Sequence, residues 1–433
     1  MTTGSDHALN IPAQCPVSHE FNPFGGSYQE DPAGSLRKAR HEQPVFYSPL
    51  LDYYVVTRYA DIKAIFRDTT SFSAALTLEP ITPLREPAIQ KLVEHQFDLG
   101  PFLVNEDEPI HMRRRRALAE PLSPANVRAW DPYIRDLVTS YIDKFVKKGH
   151  ADLVAELMWE FPATVALKFM GVPDTEIEQA RQFAVGQIMF GFGRPTEEEQ
   201  IAGCDGMGRY FNHAKNLVAK LKENPDVDGW VPFAIRASQQ DPDTIDDRFL
   251  VSMMMSGTSA AHETTSNAGA NALLTLMRNR GMWDEICEEP SLIPNAVEEC
   301  LRYSASVVAW RRLCVKSTSI AGVEIPEGAK VLVVTASGSF DDEIFDEPER
   351  FDIHRSNAKQ HFAFGFGTHT CLGAPLARLE MKIVLEEMSR RLPHIRLVPD
   401  QEFEYLPNTS FRGPQNLFVE WDPADNPVPS DRP

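Results

Sequence analysis

The stretch HFAFGFGTHTCLGAPLARLE, residues 361–380, places Cys371 between a glycine-punctuated loop and the start of a predicted helix. The N-terminus of a helix offers free N–H groups and a partial positive charge, and both favour a thiolate. Gly365, Gly367 and Gly373 permit tight turns and a close approach of the backbone to a flat ligand. The segment therefore predicts a cysteine that is presented as a ligand.

The pattern F-G-x-G-x-H-x-C-x-G, from Phe364 to Gly373 with AxxARLE after it, resembles the haem-binding loop of cytochrome P-450 enzymes. The resemblance implies haem b, with its iron held by the Cys371 thiolate and with Phe364 against the macrocycle. The plainer alternative is a buried cysteine in a glycine-rich turn. A dinucleotide-binding loop is excluded, because Thr370 stands where a third glycine is needed.

Composition excludes several classes of protein. The net charge of −19 disfavours nonspecific binding of nucleic acid or of an anionic membrane. No apolar run is long enough to cross a bilayer, and the N-terminus MTTGSDHALN lacks the pattern of a signal peptide. The six cysteines are scattered without CxxC pairs, which indicates reduced thiols. We therefore expect a soluble, cytoplasmic protein of the bacterial type, with no membrane and no nucleic-acid partner.

The domain organisation follows from the resemblance rather than from length. A chain of 433 residues suggests about three domains, but no low-complexity linker divides it. The resemblance implies one mainly α domain with small β-sheets, the triangular cytochrome P-450 fold, over residues 1–421. The proline-rich residues 422–433 are expected to be a disordered tail or a truncated linker.

Local patterns predict the main elements. A hairpin is expected over residues 44–57 and a long buried helix over about 245–280, with Thr244 as its cap. Residues 71–107 are predicted to be irregular, and residues 190–245 to form short helices that could act as a mobile lid. We further predict a short helix at 59–68, amphipathic helices over 125–170, strands over 312–335, a helix between Pro375 and Pro393, and two strands between Phe403 and Trp421.

The long helix carries polar residues in a stretch that should be buried. Residues 260–264, AAHET, resemble the oxygen-activation motif A-G-x-[D/E]-T of the same family. The resemblance implies that Thr264 hydrogen-bonds dioxygen at the iron, that Glu263 connects it to solvent, and that Ala260 lies at the haem. Ala261 departs from the usual glycine and narrows the room above the haem.

This motif has two other interpretations. Glu263 could simply face solvent while Thr264 bonds back to the preceding turn, as threonine often does in helices. A zinc protease is excluded, because Ser266 stands four residues after His262, where a second histidine would be needed.

Two sets of charges complete the resemblance. Glu299 and Arg302 form E-x-x-R on one helix face, and with Arg350 they would make the buried ion-pair cluster behind the haem. The propionates would be held by the basic residues His111, Arg115, Arg312 and His369. The other arginines of the run, Arg113, Arg114 and Arg116, are expected to form a basic patch for an acidic electron donor.

The expected activity is that of a haem-thiolate monooxygenase. It would insert one oxygen atom from O₂ into a small hydrophobic substrate by hydroxylation, epoxidation or O-dealkylation, with NAD(P)H electrons from a reductase or ferredoxin. The sequence looks most like haem domains fused to a flavin and iron–sulfur reductase. The alternatives are a peroxide-driven peroxygenase and a non-catalytic haem sensor. Candidate substrate contacts are Ser256, Ser259, Ala260, Val307, Val308, residues 97–104, Phe183, Ile188, Phe190 and Phe192.

Overall fold

The computed structural model of the chain describes residues 20–183, 187–224 and 226–427. The fold is mostly helical with small sheets, as predicted. Cys15 and the last six residues of the predicted tail, 428–433, lie outside the described residues.

The helices and strands follow the predicted order along the chain. The α-helices are α1 Ser27–Glu30, α2 Arg37–Glu42, α3 Tyr59–Arg67, α4 Glu86–Glu94, α5 Ile110–Leu118, α6 Pro124–Arg128, α7 Asp131–Phe145, α8 Glu160–Met170, α9 Asp174–Arg181, α10 Gln187–Phe192, α11 Glu197–Glu223, α12 Trp230–Gln240, α13 Asp247–Arg278, α14 Arg280–Glu288, α15 Ile293–Tyr303, α16 Thr335–Gly338 and α17 Ala374–Arg391. The strands are β1 Val45–Ser48, β2 Tyr53–Val56, β3 Phe72–Ser73, β4 His150–Asp152, β5 Trp310–Cys314, β6 Thr318–Ile320, β7 Val323–Ile325, β8 Lys330–Val333, β9 Arg396–Leu397 and β10 Phe418–Glu420.

The largest sheet has the strand order β1-β2-β8-β5-β3. The predicted hairpin is confirmed as β1 and β2, and β2 pairs in parallel with β8. Between Phe403 and Trp421 only one of the two predicted strands is present, β10, which joins β4 and β9. The remaining part of that segment makes isolated bridges, such as Val307 with Phe411. The sheets hold β5, and with it Arg312, against the helical body.

The long helix α13 crosses the centre of the helical core, and most of its residues are buried. Its cap differs from the predicted one. The side chain of Asp246 accepts a hydrogen bond from the backbone N–H of Phe249 at 2.7 Å, whereas the Thr244 hydroxyl donates to Asp241. A carboxylate at this position also complements the positive end of the helix dipole.

Two predictions about irregular segments were wrong. Helix α4 lies within the stretch that was expected to be irregular. Pro87 does not prevent this helix, because it falls in the first turn, where the missing N–H costs nothing. Helix α11 is a single helix of 27 residues where short helices were expected. A capping box starts it: Glu199 N–H donates to the Thr196 hydroxyl, and Thr196 N–H donates to the Glu199 carboxylate. Among the described residues, no helix is both long and apolar enough to span a bilayer.

Candidate active site

Cys371 lies at the end of a tight loop that leads into α17. Gly365 and Gly367 have φ values of +68° and +75°, which residues with a Cβ rarely adopt. A Cβ on Gly367 would stand 2.5 Å from the Phe66 carbonyl oxygen, so only glycine fits there. The Cys371 N–H donates to the Phe364 carbonyl at 2.8 Å and closes the loop. The side chain of Cys371 remains exposed, so its sulfur is accessible to a ligand.

The environment of the thiol acts on its pKa in two directions. The protein around Cys371 raises the pKa by burial, even though the side chain is accessible. The backbone N–H groups of Gly373 and Ala374 and the charges of Arg115 and Arg378 act the other way. A metal at the sulfur would remove the proton outright. The N–H groups and arginines therefore suit a sulfur that carries negative charge in its liganded form.

The four predicted propionate residues come together beside this loop. His111 stacks on His369 with ring centroids 3.9 Å apart. Arg115 donates to the Thr370 carbonyl at 2.7 Å, so it points towards the cysteine loop as expected. Arg312 is buried, and burial lowers the pKa of its guanidinium to about 10, with Asp107 acting against the shift.

This cluster carries more positive than negative charge. In the described part of the chain, neither Arg115 nor Arg312 forms an ion pair with a carboxylate. The Nε2 atom of His111 is buried without a hydrogen-bond partner, while its Nδ1 pairs with Glu108 at 3.0 Å. Burial, followed by the charges of His111, Arg312 and Arg115, lowers the pKa of His369 to about 3. The two propionate carboxylates of a haem would supply the acceptors that these donors lack, so the residues fit haem.

The predicted acid and alcohol lie side by side in the middle of α13. Glu263 is only 6% exposed, so it does not face solvent. The Thr264 hydroxyl donates to the Ala260 carbonyl at 2.5 Å, which is the back-bonding alternative for this residue. Its oxygen can still accept a hydrogen bond from a molecule beside the helix. His262 is held away from this position by Trp159, whose carbonyl lies 2.7 Å from its Nε2.

The ion-pair cluster behind the loop contains a different arginine from the predicted one. Glu299 and Arg302 pair through both carboxylate oxygens at 2.8 Å, with fully buried side chains. The third member is Arg355, whose Nε donates to Glu299 at 3.2 Å. Arg350 was the wrong choice: its side chain is 61% exposed and pairs with Glu347 and Asp352. The chain passes Arg350 at the surface and turns inward five residues later.

The predicted basic patch is also incorrect in part. Arg114 is buried, where it pairs with Glu106, donates to the Thr244 carbonyl at 2.7 Å and covers the Phe249 ring. Arg113 is exposed, but both oxygens of Asp241 neutralise it. Arg113 and Arg116 are therefore exposed as expected, and Arg114 is not.

Comparison with known proteins agrees with this geometry. A family model described as "Cytochrome P450" matches residues 210–404. Cytochrome P450 107B1 of Saccharopolyspora erythraea is 30% identical over 372 residues, which cover 85% of this chain and 89% of that protein. The chain belongs to the cytochrome P450 family.

Two solved P450 structures extend the comparison. The P450 haem domain of Tepidiphilus thermophilus is 45% identical, with a TM-score of 0.93, over 95% of this chain and 99% of that one. An intact type IV self-sufficient cytochrome P450 monooxygenase is 51% identical, with a TM-score of 0.95, over 97% of this chain. The chain spans 55% of the length of that second protein. The P450 monooxygenase family is haem-thiolate, and haem b with a cysteine axial ligand is typical of it.

The structure also places the candidate substrate residues of the P450. Phe192 contacts Trp310 and Phe411, with ring centroids 6.0 and 4.8 Å apart. Phe411 lies opposite Val307 in a bridge, which puts three separated segments into one apolar group. Sequence reasoning missed Trp310 and Phe411, because no motif joins them. The other candidates are buried (Val308, Ile188), half-buried (Ser256, Ser259, Phe183, Phe190) or exposed (Ala260).

Proposed function

We propose that this chain is the haem domain of a monooxygenase that inserts one oxygen atom from O₂ into a small hydrophobic substrate. Hydroxylation, epoxidation and O-dealkylation of aromatic, terpene or alkyl compounds are the reactions in scope. The observation that carries the proposal is the accessible sulfur of Cys371 on its N–H-lined loop, beside the group of His111, Arg115, Arg312 and His369. Haem bound there would supply the electron transfer and the activation of O₂.

The residues of the chain have separate roles in this proposal. Cys371 holds the iron, and the N–H groups of Gly373 and Ala374 stabilise the negative charge on its sulfur. Arg115 and Arg312 bind the propionates, and the stacked rings of His111 and His369 line the same place. Together these contacts fix the orientation of the macrocycle in the fold.

Proton delivery is assigned to the pair on α13. The proposal needs two protons and two electrons for each O₂, with one oxygen atom going to the substrate and the other leaving as water. Thr264 holds its own proton on the Ala260 carbonyl, so its oxygen is oriented to accept a hydrogen bond on the open side of the helix. Glu263, one residue earlier and buried, is the acid that resupplies protons at this position. Apolar residues such as Phe192 and Val307 exclude water from the substrate.

The electrons are proposed to come from NAD(P)H through a reductase or ferredoxin. The similarity to an intact self-sufficient enzyme supports a fused reductase in the full-length protein. A flavin and iron–sulfur reductase is the form we propose. One haem domain over residues 1–421, a tail over 422–433 and a cytoplasmic location remain predictions.

The test is a comparison of two turnover conditions, NAD(P)H with O₂ and an added reductase against hydrogen peroxide alone, with small aromatics, terpenes and alkanes as substrates. Product that forms with NAD(P)H, O₂ and an added reductase, and is labelled when the O₂ is isotopically labelled, supports the monooxygenase. Product that forms only with hydrogen peroxide would establish the peroxygenase instead. Absence of product in both conditions, from protein that contains haem, would overturn the enzymatic proposal in favour of a sensor.

A further inference from the structure

A second buried acid lies next to the ion-pair cluster. Glu298 immediately precedes Glu299 on α15, and successive helical residues point about 100° apart. Glu299 therefore faces Arg302 and Arg355, while Glu298 faces α17 and the cysteine loop. Glu298 is 4% exposed, so its charge needs compensation within the protein.

That compensation comes from one arginine. The Arg378 guanidinium donates to both oxygens of Glu298, at 2.8 and 3.0 Å. His361 lies 3.1 Å from the same carboxylate through Nε2. The N–H of Ala363 donates to His361 Nδ1 at 3.0 Å, so Nδ1 has no proton and the ring is the neutral Nε2–H form. Glu298 and Arg378 therefore form a pair with no net charge, and His361 orients the carboxylate.

The pair connects directly to the cysteine loop. The Arg378 guanidinium lies over the Phe364 ring, 4.5 Å from its centroid. Phe364 in turn accepts the N–H of Cys371 through its carbonyl. Arg378 is also one of the two arginine charges that act on the Cys371 sulfur, the other being Arg115. The position of the Arg378 charge thus affects both the loop and the sulfur.

We propose that Glu298 and Arg378 are positioning residues that set the electrostatic potential at the Cys371 sulfur, with Glu298 cancelling and anchoring the charge of Arg378. This inference rests on the proposed function, in which Cys371 is the thiolate ligand. The two neighbouring acids then have different roles, since Glu299 holds the loop in place and Glu298 controls the charge that the haem site experiences.

The proposal predicts shifts of opposite sign. Reduction of the haem adds negative charge, so an uncompensated positive charge near the sulfur favours the reduced form. Glu298→Gln leaves Arg378 uncompensated and should raise the reduction potential. Arg378→Gln leaves Glu298 uncompensated and should lower it. The double variant restores neutrality and should return the potential to near the wild-type value.

The experiment is a spectroscopic redox titration of each purified holoprotein without substrate. The control is Arg396→Gln together with Glu420→Gln, an exposed pair at 3.0 Å between β9 and β10, whose loss should leave the potential unchanged. Arg378→Lys keeps the charge and should shift the potential less than Arg378→Gln. Because the Arg378 side chain is 36% exposed, the Arg378→Gln variant should fold. Its reduction potential therefore tests the proposal even if Glu298→Gln does not fold.

Shifts of the reduction potential that are opposite in the two single variants and cancel in the double variant would support the proposal. General damage to the loop gives no such cancellation. An unmoved potential in Arg378→Gln, or shifts of the same sign that add, would overturn it. The CO spectrum of the reduced wild type separates this inference from the proposed function. A thiolate-type spectrum with unmoved potentials overturns only this inference, and a spectrum without thiolate character overturns the proposed function as well.

Discussion

At the scale of single residues, the Thr264 hydroxyl is the atom whose role can be tested most sharply. Its proton is held by the Ala260 carbonyl, and in the proposed function its oxygen orients protons at the reaction site. Thr264→Ala should still consume NAD(P)H, but it should release peroxide and lose product about tenfold or more, as expected for a group in proton transfer. The measurement is product and peroxide formed per NAD(P)H consumed.

Thr265→Ala is the matched control, since Thr265 is the neighbouring threonine and is 4% exposed. Its ratio of product to NAD(P)H should equal that of the wild type. Unchanged coupling in Thr264→Ala would refute the proton relay.

The corrected ion-pair cluster gives a second test at this scale. Arg355→Met leaves the buried carboxylate of Glu299 with one partner fewer, and loss of a partner from a buried pair costs about 3–5 kcal/mol. Arg350→Met, at the exposed position that sequence reasoning had chosen, should leave the stability unchanged. Urea unfolding of both variants measures the difference. A greater loss in Arg350→Met than in Arg355→Met would contradict the observed cluster.

The difference between Arg350 and Arg355 shows what a sequence pattern can and cannot determine. Glu299 and Arg302 were predicted correctly, because the i, i+3 spacing on a helix determines which side chains meet. The third partner lies on an irregular segment, where spacing does not determine the direction of a side chain. Arg114 was misplaced for a related reason: in a run of four arginines, only the packing of α5 decides which one is buried.

At the scale of elements, Glu298 links α15 to α17, and this link should depend on pH. Burial raises the pKa of Glu298, but hydrogen bonds from His361 and Arg378 outweigh it and lower the pKa to about 2. The unfolded value is about 4.5. Because the folded pKa is the lower one, the stabilisation is complete above pH 4.5 and is lost as the pH falls towards 2.

The predicted size of this contribution is about 3 kcal/mol at neutral pH. Wild type should therefore exceed Glu298→Gln in free energy of unfolding at pH 7, and the gap should shrink as the pH falls from about 4.5 towards 3. Unfolding in urea at several pH values checks this. A gap that stays constant over the whole range would show that the carboxylate is not held in its charged form.

Each helix or strand could be predicted to the extent that its local sequence pattern is clear. The predicted hairpin, long helix and helix after the cysteine loop are all confirmed. In these segments the hydrophobic periodicity is clear and turn-forming residues mark the ends. Helix α11 was missed although the capping box from Thr196 to Glu199 stands in the sequence. Its glycines and polar residues have low helix propensity, which packing against α4 and α13 overrides.

At the scale of the whole molecule, the fold brings together residues that are far apart in sequence. His111 and His369 stack although more than 250 positions separate them, and β5 brings Arg312 to the same place. The resemblance of the sequence motifs predicted this assembly of basic residues. The apolar group of Phe192, Trp310 and Phe411 could not be predicted, because it depends on three segments meeting in the tertiary structure.

The central claim is that the sulfur of Cys371 holds the haem iron. The measurement that tests it most directly is the difference spectrum of the reduced protein with and without carbon monoxide, for wild type and Cys371→Ser. Wild type should give the strongly red-shifted Soret band of a thiolate-ligated haem, and Cys371→Ser should lose that band. A wild-type protein that binds no haem, or a Cys371→Ser protein whose spectrum matches that of the wild type, would contradict the account.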